Sequence, residues 1–160
     1  HPDWLGPDDL ALKIQEVREA TDWQIPIQLK LGAARVYDDV RMAVKCDPDS
    51  VYIDGMEGGT GAGPHVATED TGVPGIAAVV SLYGLFAELV GTDGTVADVG
   101  CGPGHVSDHL ASLGLKVLGV DASPGMITVA RRLYSRPRFE VGTFAALPAE
   151  DGAWAGAVAP

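Results

Sequence analysis

The sequence predicts a three-layer α/β fold with a mainly parallel sheet of about six strands. Short apolar strand segments alternate with helical segments along the second half of the chain, a pattern typical of parallel βαβ units. Right-handed crossovers between such strands place helices on both faces of the sheet. The 160 residues, of which 46% are hydrophobic and 21% charged, can bury a core without disulfides or metals.

The first half of the chain predicts two helices, two strands and a long glycine-rich loop. Pro7 and the two acids after it suit a first helical turn, and Asp47-Pro48 ends the second helix. The loop runs from about Gly55 to Pro74, and loops of that length are usually functional or disordered. Helices are predicted over residues 7–20 and 33–46, and strands over residues 24–31 and 51–54.

An apolar helix over residues 76–90 leads into the alternating second half. The four strands of that half are expected in the order 3-2-1-4 among themselves, with the two earlier strands on one edge of the same sheet. The whole chain is therefore expected to form one compact unit. The strands are predicted over residues 95–100, 116–121, 138–142 and 153–159, and the helices over residues 105–113 and 124–134.

Charge and cysteine content restrict the partners and the location. The net charge of -11 argues against nucleic acid and against an anionic membrane surface. Cys46 and Cys101 form no CxxC pair, which favours a reduced, cytoplasmic chain, and no apolar run is long enough to span a bilayer. No metal is expected, because His65 and Glu69 lack a third ligand. The start at His1, without Met, is typical of an excised or engineered piece.

A glycine motif carries the strongest chemical signal. Gly100, Gly102 and Gly104 follow a predicted strand at alternate positions and precede a helix, where glycine lets a ligand approach the backbone. Asp121 ends the next strand 21 residues after Gly100, and a carboxylate there can accept ribose hydroxyls. Because His105 stands where a dinucleotide fingerprint needs glycine, the pattern favours a nucleoside–amino acid ligand. The alternative is a parallel α/β unit whose glycine loop binds no ligand.

Residues 81–160 resemble the N-terminal half of a class I S-adenosylmethionine-dependent methyltransferase, a Rossmann-like fold. The resemblance rests on residues 97–105 (ADVGCGPGH) and 118–126 (LGVDASPGM). It implies that the glycines line the methionine and ribose, that Asp98 holds the amino group directly or through water, and that Asp121 binds the ribose. The implied cofactor-binding residues are Asp98, Gly100, Cys101, Gly102, Gly104, Asp121, Ala122, Met126, Thr143 and Phe144.

The adenine end and the acceptor site depart from the family pattern. Met126 is implied to lie against the adenine ring. Gly142-Thr143 stands where the family often carries Gly-Asp, whose carboxylate meets the adenine amino group. The Thr143 hydroxyl could replace that hydrogen bond only weakly, whereas the Phe144 backbone N–H could still serve as a contact. The chain ends within the fourth strand, so the acceptor site is expected to be incomplete. No catalytic residue is assigned, and any enzymatic activity would be methyl transfer.

Residues 1–80 resemble part of the FMN-binding barrel domain of glutamate synthase-like proteins. The resemblance rests on residues 27–31 (IQLKL) and 51–62 (VYIDGMEGGTGA), and it implies that Lys30 and the glycine loop lie on a catalytic face. FMN binding is not expected, because about two of eight βα units are present and the iron–sulfur cysteines are not. The junction is expected near Val80-Ser81.

Together the two resemblances indicate a chimera, natural or engineered. The leading hypothesis is an S-adenosylmethionine-binding, methyltransferase-like domain. The alternatives are a non-catalytic chimeric scaffold and an FMN-binding fragment. A hydrolase triad of Ser107, Asp108 and His109 is set aside, because adjacent positions on a helix point in different directions.

Overall fold

The computed structural model describes residues 5–55 and 73–159, apart from the side chain of Ile76. The sequence predicts one compact unit, whereas the contacts divide the chain into two, His1–Leu85 and Phe86–Pro160. The glycine-rich segment 58–62 and the pair His65 and Glu69 lie outside the described residues.

The first unit contains a two-stranded parallel sheet. Gln28 lies opposite Ser50 and Gly32 opposite Asp54, so the two strands run in register over five pairs. The buried core of this unit combines Ala33, Val36, Val40, Ala78 and Leu85. Its elements are α1 (Pro7–Ala20), β1 (Gln28–Gly32), α2 (Val36–Val44), β2 (Ser50–Asp54) and the first part of α3 (Gly75–Val90), within which the division falls.

Arg18 joins three segments of the first unit. Its side chain is mostly buried, and its Nη2 donates to the carbonyl oxygen of Asp47 at 2.6 Å. Its Nη1 lies 3.4 Å from Oδ2 of Asp49, and its guanidinium lies 5.0 Å from the ring centroid of Trp23. The same Asp49 oxygen accepts the N–H of Ile27 at 2.6 Å. This N–H and, secondarily, Arg18 hold the pKa of the Asp49 carboxyl below its usual value.

The second unit is a four-stranded parallel sheet with the strand order β5-β4-β3-β6. This order confirms the predicted arrangement 3-2-1-4. Residues 96–99 of β3 are all buried, as expected for a central parallel strand covered on both faces. The elements are β3 (Thr95–Val99), α4 (His105–Ser112), β4 (Lys116–Asp121), α5 (Pro124–Leu133), β5 (Arg138–Val141) and β6 (Gly156–Val158).

The predicted α/β class is confirmed, and every pairing between the named strands is parallel. One correction concerns the sheet. The described strands form two sheets, of two and four strands, in place of the single sheet predicted. The reason is that periodicity reports which side of a strand is buried and carries no information about the neighbour at its edge.

Several elements are shorter than predicted. β1 begins at Gln28, because the N–H of the preceding Ile27 bonds to the Asp49 side chain. α2 begins at Val36, because the N–H of Ala33 donates to the main-chain carbonyl oxygen of Asp54 and so continues the pairing of β1 with β2. No helix within residues 5–55 and 73–159 combines the length and apolar character needed to cross a membrane.

Replacing Arg18 by alanine is expected to lower the free energy of unfolding by about 1.5–3 kcal/mol, the range for hydrogen bonds to a charged group. The change leaves the Asp47 carbonyl and the Asp49 carboxylate without this partner. Urea unfolding followed by tryptophan fluorescence measures it. Arg35→Ala is the matched control, since Arg35 forms an exposed i,i+4 pair with Asp39 and should cost no more than about 0.5 kcal/mol. Equal losses in both variants would contradict the structural role of Arg18.

Candidate functional site

The turn after β3 is built from glycines in left-handed conformations. Gly100, Gly102 and Gly104 have φ values of 83°, 52° and 91°, a region that side chains with a Cβ adopt at a cost. The N–H groups of Gly100 and Cys101 both donate to the carbonyl oxygen of Val120, at 2.8 and 3.1 Å. The turn is therefore anchored at the carboxyl end of β4, beside Asp121.

The three glycines are needed for different reasons. A Cβ added at Gly100 or Gly102 would meet no atom within 4 Å, so the backbone there borders open space. A Cβ at Gly104 would lie 2.8 Å from Cζ of Phe139 and 3.1 Å from Cβ of Ala130. Gly100 and Gly102 thus leave room that a ligand could use, whereas Gly104 is required by internal packing.

Asp121 holds the turn with its carboxylate. Its Oδ2 accepts the N–H of Gly102 at 2.9 Å, and its Oδ1 accepts the N–H of Ser123 at 2.8 Å. A carboxylate offers about four lone-pair positions, so about two remain for other donors. The side chain is partly exposed, which leaves those positions accessible.

Asp98, in the central strand β3, is completely buried, with 0% exposure. Its Oδ2 accepts the hydroxyl hydrogen of Ser107 at 2.5 Å, but its Oδ1 has no hydrogen-bond donor among the described residues. Burial raises the pKa of the Asp98 carboxyl above its usual value, and the negative charge of Asp121 adds to this effect. Hydrogen bonds from Ser107 oppose it. Asp98 is therefore a buried acceptor that lacks one donor.

The Cys101 side chain points into the protein. It belongs to a buried cluster with Ile127, Ala130 and Phe139. Burial, followed by the charges of Asp98 and Asp121, raises the pKa of its thiol to about 12. The group is thus a neutral thiol, so only the main chain of Cys101 is available on the open side of the turn.

The residues predicted for the adenine end lie around the end of β4. Ala122 is exposed, and Met126 is 45% exposed, with its N–H donating to Ser123 Oγ at 3.3 Å. Thr143 and Phe144 follow Gly142, whose N–H donates to the Asp121 carbonyl at 3.1 Å. Because Phe144 is 72% exposed, this end offers uncovered apolar side chains.

Three residues outside the predicted set help to build the site. Ser107 bonds to Asp98, and Ser123 bonds to Asp121 through its N–H. Gly119 lies opposite Asp98 in the β3–β4 register, where a Cβ would come within 2.8 Å of Ser107 Oγ. A glycine in the middle of a strand marks a close approach, and that signal could have drawn attention to Gly119. The adjacent Asp108 takes no part in this contact, and its Oδ1 lies 3.7 Å from Nη1 of Arg136.

In the first unit, Lys30 is held by neighbouring side chains. Its ammonium lies 2.7 Å from Oδ2 of Asp54 and 5.7 Å from the ring centroid of Tyr52. The hydrogen bond with Asp54 raises the pKa of Lys30 above its usual value. In the described ranges, no cluster of three His, Cys, Asp or Glu side chains could hold a metal ion.

Gly100→Ala and Gly104→Ala form a matched pair, because both residues have left-handed backbones. Strain alone should cost Gly100→Ala roughly 1–2 kcal/mol of unfolding free energy. Gly104→Ala should cost about 1–3 kcal/mol more, because its Cβ collides with the Phe139 ring. Chemical denaturation of both variants measures the difference. Equal destabilisation would show that Phe139 does not restrict position 104.

Asp98→Asn is expected to change the pH dependence of stability. The folded-state pKa of Asp98 is raised, so the folded protein binds more protons than the unfolded chain between the usual pKa and the raised value. The stability of the parent protein therefore falls as pH rises through that window, while the amide introduced by Asp98→Asn does not titrate. Urea unfolding at several pH values between about 4 and about 7 should show the variant gaining on the parent as pH rises. A difference that is independent of pH would contradict the buried charge.

Two protein families match different parts of the chain. The family described as "Conserved region in glutamate synthase" matches residues 1–89. The family described as "Methyltransferase domain" matches residues 96–159, which contain the glycine turn and Asp121. Both resemblances predicted from the sequence are therefore confirmed.

Curated relatives match the first part of the chain. A glutamate synthase large subunit-like protein of Rhizobium meliloti (strain 1021) is 53% identical over 79 residues, 49% of this chain and 18% of that protein. An archaeal glutamate synthase (NADPH) of Methanocaldococcus jannaschii is 37% identical over 75 residues, 46% of this chain and 15% of that protein. The chain thus spans less than a fifth of the length of these relatives.

Two solved structures are similar to the chain over about half its length. A TehB-like SAM-dependent methyltransferase from Corynebacterium glutamicum is 24% identical, with a TM-score of 0.44 over 49% of this chain and 42% of that one. The PH0226 protein from Pyrococcus horikoshii is 32% identical, with a TM-score of 0.43 over 49% and 39%. Because the match to the conserved glutamate synthase region covers more than half of the residues, the chain belongs to that family, while residues 96–159 match the methyltransferase domain family.

Proposed function

We propose that the carboxyl edge of β3 and β4 binds S-adenosylmethionine. The observation that carries this proposal is the buried Oδ1 of Asp98, an acceptor that the described residues leave without a donor. Buried polar groups are nearly always paired, so an unpaired one close to the open glycine turn suggests a missing partner. The amino group of the cofactor, directly or through a water molecule, is a donor of the required type.

The rest of the edge fits the other parts of the cofactor. The remaining lone pairs of Asp121 suit the two ribose hydroxyls, because its existing bonds use one position on each oxygen. The open space beside Gly100 and Gly102 lets a ligand lie against the backbone, which a Cβ would prevent. The exposed side chains of Met126 and Phe144 can cover an adenine ring.

Charge supports the same ligand. S-adenosylmethionine carries a sulfonium and an ammonium group, and the site presents the carboxylates of Asp98 and Asp121. Their mutual repulsion contributes to the raised pKa of Asp98, and a cation placed near both relieves it. When bound, the cofactor supplies an activated methyl group. The proposal covers binding of this donor and assigns no methyl acceptor.

The proposed cofactor site lies within the methyltransferase-like segment, residues 81–160. Residues 1–80 form the proposed barrel-derived segment. Both cysteines are free, which agrees with a reducing, cytoplasmic environment. We propose no FMN site in the first part, since the ammonium of Lys30 is already held by Asp54.

Isothermal calorimetry with S-adenosylhomocysteine, which shares the nucleoside and the amino acid, tests the proposal. Asp121→Ala should weaken binding by about 1.5–3 kcal/mol, or roughly 10- to 150-fold, since it removes hydrogen bonds to a charged group. Asp93→Ala is the control, because Asp93 is an exposed aspartate before the opposite, amino end of β3. No binding by the parent would make the domain a scaffold without this cofactor, whereas unchanged affinity in Asp121→Ala would contradict the proposed contact between Asp121 and the ribose.

A further inference from the structure

The hydroxyl of Ser107 connects the first turn of α4 to the central strand. Ser107 is the third residue of α4, and both it and Asp98 are 0% exposed. Because Ser107 lies in the first turn, no earlier turn of α4 offers a carbonyl to its hydroxyl. The hydroxyl reaches β3 and donates to Oδ2 of Asp98 at 2.5 Å.

Gly119 makes room for this contact. It lies opposite Asp98 in the register of β3 and β4. A Cβ at this position would lie 2.8 Å from Ser107 Oγ and 2.6 Å from Cδ1 of Phe139. Glycine weakens the interior of a strand, so its position under Ser107 is consistent with space kept for the hydroxyl.

We propose that Ser107 is a positioning residue, which fixes the Asp98 carboxylate so that Oδ1 is the oxygen left for the amino group of the bound ligand. This inference rests on the proposed S-adenosylmethionine site. With Oδ2 engaged by Ser107, rotation of the carboxylate breaks a buried hydrogen bond. Without the hydroxyl, only the weaker interaction with the Ser107 main chain remains, and the carboxylate can turn away from the ligand more easily.

The same contact keeps Asp98 in the form that a cation requires. Burial favours the protonated carboxyl, and the hydrogen bonds from Ser107 favour the ionised form. The other titratable groups coupled to this region are Asp121, at the end of β4, and Cys101, in the glycine turn. Asp121 opposes ionisation of Asp98, and the neutral Cys101 thiol does not assist it. Loss of the Ser107 hydroxyl therefore moves Asp98 toward its protonated form.

Two ligands separate positioning from a general structural effect. S-adenosylhomocysteine carries the amino group, whereas 5′-methylthioadenosine shares its nucleoside and sulfur but lacks the amino acid. Ser107→Ala should weaken binding of S-adenosylhomocysteine about tenfold or more, and change that of 5′-methylthioadenosine less than about twofold. The pH below which S-adenosylhomocysteine affinity is lost should also rise in this variant.

Ser112→Ala is the matched control, since Ser112 is an exposed serine of the same helix that donates to the His109 carbonyl. It should bind both ligands as the parent does. In an Asp98→Asn background, adding Ser107→Ala should leave the ratio of the two affinities unchanged, because the positioned group is already altered.

Failure of the parent to bind either ligand would overturn the cofactor site itself. Equal weakening of both ligands by Ser107→Ala, or an unchanged pH profile, would overturn the positioning role and leave the site standing. If circular dichroism shows that Ser107→Ala does not fold, Ser107→Cys keeps a weaker donor of similar size. That variant should lose part of the S-adenosylhomocysteine affinity and none of the 5′-methylthioadenosine affinity, and equal losses would again overturn the role.

Discussion

Asp121 holds together the carboxyl edge of β3 and β4, where the ligand is proposed to bind. One oxygen receives the N–H of the glycine turn, the other the N–H at the start of α5, and the main-chain carbonyl of Asp121 receives the N–H of Gly142 after β5. Backbone donors in turns need partners, and a single residue here provides them for three segments. The edge is therefore assembled before any ligand arrives, which reduces the ordering that binding requires.

Asp98, unlike Asp121, is expected to lower the stability of the fold. An ionisable side chain at the centre of a parallel sheet loses its hydration, and one of its oxygens gains no described donor in return. An apolar residue would suit the surroundings of β3 better. Residues that destabilise the free protein are expected where it binds a ligand, because their interactions are completed only in the complex.

The sequence predicts the second unit well because spacing along the chain determines it. Each parallel strand and crossover helix brings the next strand end to the same edge, so the glycine turn and Asp121 could be placed together from their order alone. Ser107 and Gly119 were missed because their contact depends on the β3–β4 register and on side-chain direction. The separate sheet of the first unit was also missed, since edge pairing leaves little trace in a sequence. Cys101 was included in the site, although its side chain faces the core.

The ring of Phe139 occupies the space that two absent side chains would need. A Cβ at Gly104 would meet its Cζ, and a Cβ at Gly119 would meet its Cδ1, so one aromatic residue in β5 restricts positions in the turn and in β4. The order in which substitutions can accumulate is thereby constrained. A larger residue at either glycine needs a smaller one at position 139, in addition to relief of the Ser107 contact at 119 and of the left-handed backbone at 104. Shrinking residue 139 first opens a void beside Ala130 and Ile127. Substitutions at positions 104, 119 and 139 are thus expected to be coupled, and changing one of them alone is expected to lower the stability of the protein.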